Sequence, residues 1–129
     1  MRLEHVALWA QDLERLRAFY ADHFGATAGP RYVNPHTGFT AYFLSFGEGA
    51  RLELMNRPNL LPAPTDPAAA RPGLAHLAIS VGSAAEVDRL THQLQQEGLP
   101  VLSGPRWTGD GYYESVVLDP EGNRLEITR

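Results

Sequence analysis

No cysteine occurs in the 129-residue chain, so a disulfide framework, a thiolate nucleophile and a thiolate metal site are all excluded. Any metal would have to be held by nitrogen and oxygen. Long apolar runs are also missing, and the start, Met1-Arg2-Leu3-Glu4-His5, lacks the apolar core of a signal peptide, which points to a cytoplasmic protein without a membrane span. Nor is there an excess of basic charge. The net charge is −4, with acidic and basic residues mixed along the chain, so no basic stripe is available to neutralise phosphates and nucleic acid is not an expected partner. What remains is ordinary globular composition, 43% hydrophobic and 20% charged, in a length that suits one domain.

The order of features is written twice. His5-Val6-Ala7-Leu8 and His76-Leu77-Ala78-Ile79 both alternate in the manner of half-buried strands, 76 − 5 = 71 positions apart. After the first, Asp12 can cap a helix with Leu13, Leu16, Tyr20 and Phe24 as its apolar stripe and Gly25 as its stop. After the second, Ser83-Ala84-Ala85-Glu86 has capping-box spacing, Val87, Leu90 and Leu94 form the stripe, and Gly98 is the expected stop.

Each half then closes with strands joined by a turn, 40–46 and 50–55 in the first, 114–118 and 124–128 in the second. The closing strands carry Leu52-Glu53-Leu54 and Leu125-Glu126-Ile127, whose glutamates lie 126 − 53 = 73 positions apart, close to the histidine offset. Between the halves runs 57–73, with Pro58, Pro62, Pro64, Pro67 and Pro72, which suits neither helix nor central strand. The expected class is α+β, two βαβββ modules, 1–56 and 74–129, joined by a Pro-rich linker.

Strand alternation sets His5, Ala7 and Trp9 opposite Val6 and Leu8, His76 opposite Leu77, and Glu53 and Glu126 opposite their leucine and isoleucine neighbours. One such His or Glu is unremarkable on a wet face. Two histidines and two glutamates at matching places of a repeat form a donor set suited to zinc, nickel, iron, manganese or cobalt, with positions to spare for water or substrate oxygen.

Glu4-His5-Val6-Ala7-Leu8, Phe19-Tyr20, Leu52-Glu53-Leu54-Met55, the segment 74–81 and the segment 118–127 together resemble the vicinal oxygen chelate superfamily, which contains glyoxalase I, extradiol dioxygenases, fosfomycin-resistance proteins and bleomycin-binding proteins. The resemblance implies a cupped mixed sheet around a metal site and a homodimer. Its metal-ligand pattern is that of glyoxalase I, which implies that His5, Glu53, His76 and Glu126 bind one divalent ion, with Glu126 as catalytic base and Glu53 as second candidate. The implied substrate is a hemithioacetal of a 2-oxoaldehyde and a thiol. Trp9 stands where glutathione-using members carry an arginine, so the resemblance does not extend to the thiol. Asn56, Arg57 and Arg51 either supply compensating polar contacts or are ordinary surface residues flanking a strand end.

Trp9, Trp107, Tyr112 and Tyr113 either wall a substrate pocket or pack as core and rim, and the loop 108–111 is either a mobile lid or a plain turn. His23, His36 and His92 are expected at the surface. Two other functions fit the same chain. One is a different metal-dependent reaction, such as ring-opening oxygenation, epimerisation or thiol addition; the other is a non-catalytic dimer that sequesters a small drug between aromatic walls.

Overall fold

The computed structural model describes residues 1–62, 66, 69 and 72–129. Pro64 and Pro67 of the linker lie outside the described residues. The chain divides into two compact units, Met1–Pro62 and Ala63–Arg129.

The first unit runs β1 (His5–Trp9), α1 (Leu13–Phe24), β2 (Thr27–Ala28), β3 (Tyr32–Val33), β4 (Thr40–Ser45) and β5 (Arg51–Asn56). Its sheet has the order β1-β5-β4-β2, with β3 also paired to β4. β1 is parallel to β5 and every other pairing is antiparallel, which makes the sheet mixed. The second unit runs β6 (Leu77–Ser80), α2 (Ala84–Gln96), β7 (Val101–Trp107), β8 (Tyr113–Leu118) and β9 (Arg124–Thr128). Its order, β6-β9-β8-β7, repeats the plan, with β6 parallel to β9 and the other pairs antiparallel. This is the α+β fold expected from the sequence. His76 falls one residue before β6 rather than inside it.

The helices form where their caps and stripes direct. Asp12 accepts a hydrogen bond from the Arg15 amide at 3.0 Å, and α1 stops at Gly25, whose φ of 64° turns the chain so that the Ala26 N–H reaches back to the Tyr20 carbonyl at 3.2 Å. Leu13, Leu16, Phe19 and Tyr20 are buried, whereas Phe24, expected on the stripe, is half-buried and Phe19 takes its place. In α2 the Ser83 hydroxyl accepts from the Glu86 amide, but the Glu86 carboxylate turns to Arg89 instead of completing the reciprocal box. The helix ends at Gln96 with Glu97 as its C-cap, and Gly98, at φ 86°, follows.

Each helix covers the aliphatic face of its own sheet. Leu8, Leu44, Leu52 and Leu54 are buried in the first unit, and Val117, Leu125 and Ile127 in the second against Val87, Leu90 and Leu94. At ~1.5–3 kcal/mol for each large side chain fully buried, these faces dominate the stability of each unit. A polar latch reinforces both in a way the sequence pattern does not reveal. Tyr42 of β4 donates its hydroxyl to Glu14 of α1 at 2.8 Å, and Tyr113 of β8 donates to Asp88 of α2 at 2.7 Å. The carboxylates these hydroxyls serve hold both phenols above their ordinary pKa.

The turn that delivers the last strand is built on Asp119. Its side chain is buried and accepts from the amides of Glu121 and Asn123, each at 2.9 Å, while Asn123 Nδ2 also donates to it. The carboxylate therefore satisfies the turn's inward amides and fixes where β9, and Glu126 on it, begins.

Candidate metal centre

With the helices on one face of each sheet, the other face carries the polar candidates. β1 and β5 pair in the register Ala7↔Glu53, and β6 and β9 pair in the register Ala78↔Glu126. His5 and His76 each lie two residues before that alanine, so both histidines stand at the same offset from their glutamates. An alanine beside each glutamate leaves room for the ring to reach across. His5 Nε2 lies 3.5 Å from Glu53 Oε2, and His76 Nε2 lies 3.1 Å from Glu126 Oε2. The glutamates are mostly shielded, at 16% and 19% side-chain exposure, and the histidines are open at 39% and 42%.

The structure thus brings the four sequence candidates together as two pairs, one in each unit. Among the described residues, no group of three or more His, Asp and Glu side chains is gathered as a metal cage.

The pairs nevertheless suit a cation. Ligand bonds of ~2.1 Å place two donors of one ion about 3.0 Å apart at a right angle and about 3.4 Å apart at a tetrahedral angle; the His76–Glu126 pair, at 3.1 Å, falls inside that range and the His5–Glu53 pair, at 3.5 Å, just beyond it. His5 adds a second reason. Its Nδ1 meets the Glu4 carboxylate, which, being ionised, can only accept, so Nδ1 must carry the hydrogen. A neutral ring in that tautomer presents only a lone pair at Nε2, turned toward the acceptor oxygen of Glu53. Two facing acceptors need a positive species between them, a proton or a metal ion.

Glu4 is the functional candidate that the sequence reading left unnamed. It lies before β1 begins, where strand alternation no longer dictates its direction. It accepts from His5 with one oxygen and from Arg51 Nε, at 3.0 Å, with the other. These hydrogen bonds, His5 first and Arg51 second, hold its carboxyl below the usual range. The Arg51 guanidinium in turn covers the Phe43 ring at 4.1 Å, and the His5 ring stands edge-on to the same phenylalanine, 5.4 Å between centroids.

Cross-strand partners share a face, which sorts the aromatics. Phe43 pairs with Glu53 and Tyr32 with Ala41, itself the partner of Met55, so these residues belong to the His5 face. Trp9 joins them through Phe39, at 6.3 Å, and Phe39 meets Tyr32 at 6.1 Å. The result is an aromatic row beside the first His–Glu pair, of which the sequence pattern had singled out Trp9 alone. Trp107 and Tyr113 behave differently. They pair with each other in the phase of Ser115 and Ile127, which puts them on the helix-covered face and not beside Glu126. The loop 108–111 is a closed turn, tied by the Thr108 amide to the Tyr112 carbonyl and by the Tyr112 amide to the Thr108 hydroxyl. His36 and His92 are exposed, and His23 packs its ring on Phe19.

Of the polar residues near the end of β5, two are already engaged. Arg51 holds Glu4, and Asn56 donates to the Ala10 carbonyl at 2.7 Å, pinning β1 to β5. Arg57 lies 4.9 Å over the Trp9 ring, and among the described residues no carboxylate pairs with it.

Comparison with known proteins converges on one family. The model of the Glyoxalase/Bleomycin resistance protein/Dioxygenase superfamily matches residues 2–127. The Bacillus subtilis (strain 168) protein YwkD is 29% identical over 128 residues, 97% of this chain and 94% of that protein. The trypanothione-dependent glyoxalase I of Leishmania major superposes with a TM-score of 0.79 at 23% identity, covering 100% of this chain and 86% of that one. A glyoxylase/bleomycin resistance protein/dioxygenase domain from Frankia sp. EAN1pec gives 0.80 at 21% identity, covering 99% and 96%. Glyoxalase I from Zea mays gives 0.77 at 21%, covering 98% of this chain and 44% of that one.

Proposed function

The chain belongs to the Glyoxalase/Bleomycin resistance protein/Dioxygenase superfamily, and from that premise we propose that it is a metal-dependent lyase of the glyoxalase I type, acting on the hemithioacetal of a 2-oxoaldehyde such as methylglyoxal. The observation that carries the reading is the repetition of one His–Glu pair at one register in both units. His5, Glu53, His76 and Glu126 would hold one divalent ion, of nickel, zinc, manganese, cobalt or iron, with the pairs drawn from modules of one chain or of two chains in a homodimer. The setting we propose is cytoplasmic. No helix among the described residues is long and apolar enough to cross a membrane.

When bound, the ion supplies Lewis-acid stabilisation of the negative charge that develops on the substrate's two adjacent oxygens. The protein's own part is proton transfer. The Glu126 carboxylate takes the proton from the carbon bearing sulfur and oxygen and returns it to the neighbouring carbon, converting the hemithioacetal into a 2-hydroxy thioester with no net gain or loss of atoms. Glu126 is mostly shielded from water, which keeps the abstracted proton from exchanging freely before its return. Glu53 occupies the equivalent place in the other unit and is the second candidate for this role.

The aromatic row Trp9–Phe39–Tyr32 offers apolar surface beside the first pair, and Arg57 stacked on Trp9 supplies a cation where the strand itself has none. We assign Arg57 to the anionic end of the thiol. An Arg57→Ala variant is expected to raise KM about ten-fold for hemithioacetals of carboxylate-bearing thiols and to leave those of neutral thiols unchanged. Equal changes for both thiol classes would remove Arg57 from thiol recognition.

The reading as a whole is tested on untagged protein by elemental analysis and by turnover of methylglyoxal with a panel of thiols. The expected result is one divalent ion per site and thiol-dependent thioester formation that a chelator abolishes and added metal restores. Metal bound without turnover would redirect the search to another reaction on this scaffold, such as oxygenation, epimerisation or thiol transfer. No metal after reconstitution, with an aromatic drug still bound, would favour a sequestering protein.

A further inference from the structure

The two His–Glu pairs match in register but not in surroundings. In the first unit, His5 is held on three sides: Nδ1 donates to Glu4, the ring edge rests against Phe43, and Nε2 is turned to Glu53 at 3.5 Å. Glu4 is itself held, because its other oxygen accepts from Arg51, whose guanidinium lies on Phe43 and whose amide donates to the Glu4 carbonyl at 3.0 Å. In the second unit, Ala75 occupies the place of Glu4, and Val116, the partner of Glu126, occupies the place of Phe43. Among the described residues, the polar side-chain contact of the His76 ring is Glu126 alone.

From this asymmetry we infer that Glu4, braced by Arg51, is a positioning residue that fixes the His5 imidazole as the Nδ1–H tautomer with its Nε2 lone pair aimed at the metal position. The first pair therefore has its histidine tautomer fixed in advance, whereas the His76 ring of the second, although 3.1 Å from Glu126, has no such acceptor among the described residues. The inference rests on the metal-centre reading and deepens it. Its physical basis is that an imidazole bound through one nitrogen is a better and better-aimed ligand when an acceptor holds the hydrogen of the other. A free imidazole prefers the opposite tautomer, with hydrogen on Nε2, so without Glu4 part of the His5 population would have to shift its proton and turn before it could ligate. Glu4 and Arg51 form an exposed ion pair, which contributes little to folding, so variants at Glu4 should retain the native backbone.

The decisive measurement is made on metal-free protein, by long-range proton–nitrogen correlation of the imidazole rings, followed upward in pH until the ring nitrogen shifts no longer change. In the wild type His5 should read as the Nδ1–H tautomer, and in Glu4→Ala it should revert toward Nε2–H, with the His76 signals unmoved as an internal control. Zinc affinity, read by competition with a coloured chelator, should fall ~10–100-fold in Glu4→Ala, with part of the loss recovered in Glu4→Gln, whose amide oxygen can still accept from Nδ1. An Arg51→Ala variant should give a smaller shift in the same direction. A His5 tautomer that is the same in wild type and Glu4→Ala overturns the role of Glu4 even if the protein binds metal. A wild type that binds no metal overturns the metal reading, and the tautomer measurement still reports separately on the Glu4–His5 contact.

Discussion

A Glu126→Gln protein is expected to fold normally and to lose ~10²–10⁴-fold in kcat with methylglyoxal hemithioacetals, the range that a positioned general base supplies. The substitution keeps the shape and one oxygen acceptor, so the 3.1 Å approach to His76 Nε2 can persist. What it removes is the capacity to take up a proton at that atom. A parallel Glu53→Gln variant separates the base from a residue that merely ligates. Each change removes one carboxylate from a His–Glu pair of the same register, so the comparison is made at saturating metal for both variants. Only the base should show the larger fall in kcat at saturating metal. A larger fall in Glu53→Gln would move the base assignment from Glu126 to Glu53, and equal falls would remove it from Glu126. Deuterium placed on the sulfur-bearing carbon of the substrate and recovered on the neighbouring carbon of the wild-type product would report the same shielded transfer by a route independent of rate.

How far the sequence carried this site follows from the distance over which each signal acts. The four ligand candidates were legible because strand alternation and an internal repeat are both long-range regularities: 71 and 73 positions separate the matched histidines and glutamates, and the pairing registers preserve that match. The helix stops at Gly25 and Gly98 and the caps at Asp12 and Ser83 were legible because they are local backbone chemistry. Glu4 was not, because its position next to His5 says nothing about direction once the strand ends. The aromatic row was not, because Tyr32, Phe39 and Phe43 reach the His5 face only through antiparallel pairings that no spacing in the chain announces. For the same reason Trp107 and Tyr113, which look like pocket walls as sequence, turn out to share the face that α2 covers.

These gaps bear on substrate more than on metal. A metal centre needs a few donors at a fixed spacing, and a repeat can encode that. A substrate pocket is assembled from whatever side chains several strands bring to one face. On the His5 face of the first unit those side chains are a row of crossed and tilted rings and a cation held over an indole, 4.9 Å from guanidinium to ring. The arrangement suits a thiol with an apolar stem and a charged end better than a small neutral one.

The largest effect on stability is expected at Gly104, in β7, where a glycine inside a strand marks a close approach of two backbones. A Cβ built there would stand 2.5 Å from the Glu114 carbonyl oxygen and 2.9 Å from Ser115 Cα, both main-chain atoms of the neighbouring strand. Ser115 has little room to yield, since its side chain is buried and its hydroxyl is bonded at 2.6 Å to Thr91, which is itself bonded to the Val87 carbonyl in α2. The backbone adds a second penalty, because φ at Gly104 is 81°, in the left-handed region. Gly104→Ala should therefore cost roughly 2–5 kcal/mol, about 1–2 from the backbone conformation and the rest from forcing β7 away from β8, and lower Tm by roughly 10 °C or more. Gly25→Ala is the matched control. It carries a similar φ of 64°, but a Cβ there meets nothing within 4 Å, so only the backbone penalty of ~1 kcal/mol applies. Urea melts of the two variants beside the wild type measure the difference, which is the cost of the close approach alone. Equal midpoints would mean that β7 does not press on β8 at this point. The expected gap would show that the edge of the second sheet is clamped to the strand that pairs with β9, and so that the placement of Glu126 depends on a glycine on the far side of its own sheet.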